Sequence, residues 1–411
     1  MRRKLPRNYK GKKNRKGLIV FLSVIFLIFS GTFVMWNLDD IVHFFQGSHY
    51  LWVQPQGENA SPDTPKESQS PEAKPDESEA PSVLQRTVGV YMPVSQANSP
   101  QSILEFSARA KEQGANAIIL DIKDADGRIL FETPLGYSFM SAVTVENAFD
   151  LRETVDLLKQ EGFYLTARMS CFYDNLAPRK NPAMAILTNG VTWLDWDYKS
   201  WLNPYSQLTM EYLGDLAEYF TRIGFDEILL YNVEFPVRGK TELISYSAED
   251  SIANKQAALS NFLKYMKVRI SDSATVALQV SSSLLIEDPK ELSGIDLKRL
   301  IPQVDVFVPQ IYPSVLPLNI KIGEELIGKP KNEVEQTISA LCKLCKSLTQ
   351  NNAVQVEIRP MIQGFDTVSN GEMVGICDAS MMQAQIEALA QNQMSQYDIY
   401  QPEGIYQHIT Q

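Results

Sequence analysis

The feature that most constrains this chain is a regular alternation. Eight apolar runs of strand length recur between residues 88 and 400, separated by stretches with helical patterning. The runs are VGVYM (88–92), NAIILDIK (116–123), YLTARMSCF (164–172), EILLY (227–231), TVALQVS (275–281), VDVFVPQIY (304–312), AVQVEIR (353–359) and QYDIY (396–400). Helical patterns occupy 99–114, 150–161, 206–223, 249–271, 330–349 and 379–392; the first has Ser99 and Pro100 as a start signal and Gly114 as a stop. Strands alternating with helices imply a parallel sheet. Eight of them predict a (β/α)8 barrel, with a doubly wound open sheet as the alternative. Neither GxGxxG nor GxxxxGK[ST] follows the first run, so no nucleotide is expected. ADGRILFE (125–132) reads as a hairpin excursion with a tight turn at Asp126-Gly127.

The N-terminal fifth is different in kind. Residues 1–16 hold nine Lys and Arg and no acid. GLIVFLSVIFLIFSGTFVMW (17–36) is 20 residues without a charge, long enough to cross a bilayer as a helix. Positive charge on its N-terminal side predicts a cytoplasmic tail, a single transmembrane signal anchor and an exported remainder. A cleaved signal peptide is the competing reading, but no small-x-small site follows Trp36. Residues 37–86 form a stalk and linker. Within it, 55–85 is rich in Pro, Ser and Glu and too poor in large apolar residues to fold. Such a flexible chain gives roughly 30 Å of root-mean-square reach. The barrel is expected over 87–411. Outside the basic head the chain carries 29 basic against 49 acidic residues, which argues against nucleic acid as a partner.

Cysteine chemistry is not expected. Cys342 and Cys345 form a CxxC inside a helical pattern, away from Cys171 and Cys377, and the histidines are His43, His49 and His408. Neither a zinc ligand set nor a disulfide framework follows, so no metal and no cofactor is predicted.

Side chains of a strand alternate between faces. If Ile118, Leu120 and Ile122 pack on the outer helices, Asp121 and Lys123 point to the barrel axis. The same argument turns Arg168, Gln279, Gln310, Tyr312, Glu357 and Arg359 inward, toward the C-terminal strand ends where barrel enzymes keep their sites. A buried structural network is the competing reading. Aromatic residues after the third run, among them Tyr173, Trp196 and Trp201, suit the C–H faces of a sugar or a small core under a long insertion.

NAIILDIKDADGRILFET, LTARMSCFYDNLA, WLNPYS, GFDEILLYNVEFP, VDVFVPQIYPS and EIRPMIQGFD together resemble a bacterial family of glycoside hydrolase-like (β/α)8 domains, related to the amylase-like barrels and often membrane-anchored. The resemblance implies carbohydrate hydrolysis at the barrel mouth. Asp121, Lys123, Asp124, Gly127, Arg168, Asp174, Asn203, Pro204, Asp226, Glu227, Tyr312, Pro313, Ser314, Arg359, Pro360 and Gln363 match the family's residues. Five positions depart from it. Tyr231 and Gln279 stand where relatives carry Asp, Glu234 where they carry Arg, Val315 where they carry His and Met361 where they carry Trp. Glycoside hydrolysis ordinarily needs two carboxylates. A surviving enzyme is expected to use Glu234 with Asp121 or Asp174. The expected ligand-binding set is Lys123, Arg168, Trp201, Asn203, Tyr231, Gln279, Gln310, Tyr312, Glu357, Arg359 and Gln363. The alternative is an inactive relative that binds an envelope or extracellular polysaccharide, or an envelope protein, through the same mouth.

Overall fold

The computed structural model describes residues 88–246, 248–270, 273–286, 293–350, 355–369 and 372–406. The basic tail, the apolar segment 17–36 and the linker lie outside the described residues. Among the described residues no helix is long and apolar enough to cross a membrane.

The elements follow the alternation: β1 (Val88–Met92), α1 (Pro100–Glu112), β2 (Ala117–Lys123), α2 (Arg152–Gln160), β3 (Tyr164–Ser170), α3 (Gln207–Arg222), β4 (Glu227–Tyr231), α4 (Ile252–Ile270), β5 (Thr275–Val280), α5 (Leu297–Leu300), β6 (Val306–Ile311), α6 (Val334–Thr349), β7 (Glu357–Ile358), β8 (Met361–Gln363), α7 (Ala379–Gln391) and β9 (Tyr397–Tyr400). Every pairing among these strands is parallel. β9 pairs with β1 and with β8, and β5 pairs with β6, so the sheet closes on itself. The seventh barrel position is shared by β7 and β8, and the ring therefore has eight staves.

That split differs from the single strand expected over 353–359. Pro360 has no N–H to donate, so the ladder breaks there. Arg359 N–H still reaches Phe307 O, and Pro360 O accepts from Asp398 N–H. The pairing with β9 is made by Met361–Gln363 instead.

Faces follow the period of two. Ile118, Leu120, Leu165, Ala167, Ile228, Leu230 and Val276 pack in the core under the helices, whereas Ile119, Leu229, Ala277, Val308 and Met361 form a separate cluster inside the barrel. Stepping by two along β4 gives the plan of the interior. Glu227 lies at the N-terminal end, Leu229 in the apolar plug and Tyr231 at the mouth.

The lower end is closed by charge. Arg359 donates from Nη2 and Nη1 to the two oxygens of Glu227 at 2.6 and 2.8 Å, and from Nε to Asp398 at 3.1 Å. Arg359 is 1% exposed and both carboxylates are fully enclosed. Two carboxylates thus engage all three nitrogens of one guanidinium.

Candidate functional site

A cavity of about 530 Å³ opens where the strands end. Its floor is built by residues at the C-terminal ends of several strands: Arg168 of β3, Tyr231 closing β4, Gln279 of β5, Gln310 of β6 with Tyr312 just beyond it, and Tyr400 closing β9. The loop between β3 and α3 adds Tyr173, Asp195, Asp197, Lys199 and Trp201 as one wall. Leu284, Ile295, Leu297 and Leu300 line an apolar side beyond β5.

Arg168 organises the floor. Its Nη1 donates to Asp121 Oδ1 at 2.8 Å and its Nε to Gln279 Oε1 at 2.9 Å. Asp121 Oδ2 accepts from the Tyr91 hydroxyl at 2.7 Å. The guanidinium carbon lies 3.7 Å from the Tyr231 ring centroid, 5.5 Å from Tyr91 and 5.8 Å from Tyr400, within cation–π range of all three. Burial is the largest influence and works against the arginine charge, but Asp121 together with Tyr231, Tyr400 and Tyr91 outweighs it and holds the Arg168 pKa above its ordinary value.

The chain leaves β4 through Asn232, which takes a left-handed φ of 54° and donates from Nδ2 to Ser170 Oγ at 2.9 Å. Asparagine tolerates that conformation because its short polar side chain bonds locally. The turn sets Val233 and Phe235 on the cavity wall; Glu234, between them, does not line it. Glu234 is 1% exposed, and burial raises its carboxyl well above the glutamate range.

Of the three carboxylates expected to serve catalysis, none lines the cavity. Asp121 lies behind Arg168. Asp174 is fully buried; its Oδ1 accepts from Leu176 and Ala177 N–H at 2.8 Å, and its Oδ2 lies 2.9 Å from Lys123 Nζ. Lys123, expected to face the axis, does not. A register shift between Asp121 and Lys123 places Lys123 beside Met169, an outward residue, and its ammonium bonds Ser170 O at 2.8 Å. A bulge of this kind reverses the alternation beyond it.

Of the expected ligand-binding set, Arg168, Trp201, Tyr231, Gln279, Gln310 and Tyr312 line the cavity together. Asn203 instead shapes the turn before α3, its Oδ1 accepting from Tyr205 N–H at 2.9 Å. Arg359 belongs to the lower network, with Glu357 3.9 Å away from it. Gln363 ties two loops together, accepting from Ser314 N–H at 3.1 Å and donating to Phe365 O at 2.7 Å.

Tyr400 joins the floor, and Tyr91 supports it from beneath through Asp121, without having been expected. Their signal was available: Val88, Val90 and Met92 alternate outward in β1, as Tyr397 and Ile399 do in β9, which turns Tyr91 and Tyr400 inward. Asp195 and Asp197 had no periodic signal, because a loop places them. They are the only carboxylate residues among the described residues lining the cavity. Asp195 Oδ1 accepts from Asp197 and Lys199 N–H at 2.9 Å each, and Oδ2 from Trp201 Nε1 at 3.0 Å. Burial nevertheless moves its pKa upward, with the backbone hydrogen bond from Lys199 opposing.

A family model described as "Putative glycosyl hydrolase domain" matches residues 89–406. No curated protein matches the chain in sequence. Among solved structures, alpha-L-fucosidase isoenzyme 2 from Paenibacillus thiaminolyticus aligns with a TM-score of 0.51 at 13% identity, over 79% of this chain and 47% of that one. The catalytic domain of beta-amylase from Paenibacillus polymyxa aligns with a TM-score of 0.46 at 11% identity, over 79% and 94%. A hypothetical protein from Ruminiclostridium thermocellum ATCC 27405 is 22% identical over 46% of this chain and 96% of its own, with a TM-score of 0.40. At 13% identity the likeness to the fucosidase is one of fold.

Proposed function

This chain belongs to the putative glycosyl hydrolase domain family, and from that membership we propose that the mouth of its barrel holds an oligosaccharide without cleaving it by the usual pair of carboxylates. The observation that carries this reading is the composition of the floor. Where a retaining or inverting enzyme sets two carboxylates across the scissile bond, this cavity presents Tyr231, Gln279, Gln310 and Tyr312 around Arg168. Flat rings and amides suit the C–H faces and hydroxyls of a sugar. Asp121 is engaged by Arg168 and Tyr91.

One observation favours a hydrolytic reading. Asp195 lines the cavity with its carboxyl raised by burial, as a general acid requires. Its oxygens, however, already accept from two backbone N–H groups and an indole. Titrating the full chain with envelope and storage polysaccharides, while assaying reducing ends in the same samples, separates the two. Saturable binding with no reducing ends supports the binding module. Reducing ends that appear with wild type and vanish with Asp195→Asn overturn it.

We place the barrel outside the cell, tethered through residues 17–36 and the linker. The charge pattern of the sequence supports this. Protease added to intact cells then digests the barrel, and a barrel protected until lysis refutes the placement.

A further inference from the structure

The barrel interior contains two buried arginines in unlike states. At Arg359 all three nitrogens are engaged, and two carboxylates share the charge. Arg168 is almost as buried, at 6% exposure, yet meets one carboxylate, Asp121. The place of a second acid is taken by neutral Gln279, whose Oε1 accepts from Nε. Nη2 of Arg168 has no hydrogen-bond partner among the described residues, and Arg168 lines the cavity. Because Gln279 Oε1 faces the guanidinium, its Nε2 is left as a donor. The Tyr312 hydroxyl, also on the cavity lining, is buried with no hydrogen bond among the described residues.

The unmet groups of the floor are therefore mainly donors: a guanidinium edge, an amide N–H2 and a phenol. Of these the phenol is buried, and leaving it unpaired is costly; the other two belong to residues that line the cavity, and a ligand that supplies acceptors meets all three. The rings of Tyr91, Tyr231 and Tyr400 crowd the guanidinium, with Tyr231 closest at 3.7 Å. A ring this close to one face favours approach along the edge, in the plane, as a planar carboxylate makes to arginine.

We propose that the ligand supplies the second carboxylate: the cavity takes an acidic glycan and seats a uronic-acid carboxylate on Nη2 of Arg168, within reach of Gln279 and Tyr312. This deepens the glycan-binding reading and rests on it. The resulting arrangement, one guanidinium between two carboxylates, reproduces the one the fold already uses around Arg359.

Calorimetric titration of the full chain with short galacturonate and glucuronate oligomers tests it, each beside its carboxyl-reduced counterpart. The acidic oligomer is expected to bind at least about tenfold more tightly than the reduced one. Gln279→Glu sets a carboxylate of the protein against Arg168 and is expected to cancel that preference. Tyr312→Phe keeps the ring and the packing, and is expected to weaken the acidic oligomer several-fold. Reduced oligomers that bind as tightly as acidic ones overturn the proposal and leave glycan binding standing. No binding of either kind overturns both. A preference that survives Gln279→Glu in a variant with the wild-type circular dichroism spectrum removes Arg168 from the site.

Discussion

Burial at Glu234 favours its neutral carboxyl in the folded chain, and a stability profile follows from the sign of that shift. The unfolded glutamate titrates near pH 4.3, and the folded one well above it. The neutral side chain's contribution is complete below the unfolded value and is lost as pH rises toward the folded one. Replacing Glu234 by Gln, a neutral isostere, should therefore raise the melting temperature at pH 8 and change it little at pH 4. Equal shifts at both pH values would contradict the burial argument. Glu227 is held by a partner. Its carboxylate is locked to Arg359, and Glu227→Gln leaves a buried guanidinium short of charge, a loss of about 3–5 kcal/mol by denaturant titration. Alternation along the strands makes the inward turn of Arg168, Gln279 and Tyr312 legible in the sequence. It failed at Lys123, because one bulged residue in β2 reverses the parity and nothing in AIILDIK announces it.

Elements carry the next level of constraint. Gly127 sits in the turn after β2 with a φ of 88°, and a Cβ there would fall 2.1 Å from Asp174 Oδ1. The turn therefore lies directly on the buried Lys123–Asp174 pair, and both objections, strain and collision, apply to any side chain. Gly127→Ala is expected to cost at least about 2 kcal/mol and to lower the denaturant midpoint. An unchanged midpoint would mean that the turn can lift off Asp174 freely. This contact gives Asp174 and Lys123 a place outside the cavity: they hold a loop. The family resemblance pointed to these positions, but the distinction between holding a loop and touching a ligand requires the side chains to be seen in place. Strand seven shows the same limit. AVQVEIR has the right composition for a strand, but Pro360 breaks the ladder and transfers the pairing to Met361–Gln363.

At the scale of the whole molecule the governing fact is closure. β9 supplies the pairing on one side to β1 and on the other to β8, so the last strand completes the ring begun by the first. A chain ending at Gln391 would leave two open edges and strip Asp398 from Arg359. It is expected to show no cooperative thermal unfolding and to aggregate, as unpaired edges do. A sharp unfolding transition in that truncation would show that seven staves suffice. The number of staves was readable from the recurrence of apolar runs, since a parallel strand buried on both faces has little choice but to be apolar. The loop from Cys171 to Ser206, which builds a wall of the cavity, has no such period and was legible only as a cluster of aromatic residues.

The stacking of the barrel interior has a consequence for how such a protein changes over generations. The residues that keep the ring shut, Glu227, Arg359 and Asp398, are separated from the residues that line the cavity by a layer of aliphatic side chains. An exchange at Gln310 can therefore reshape the cavity without touching the ion pairs that shut the ring, whereas Tyr231 and Gln279, which hold Arg168, are tied to the floor they form. A scaffold divided in this way can vary at its rim while its base stays constant.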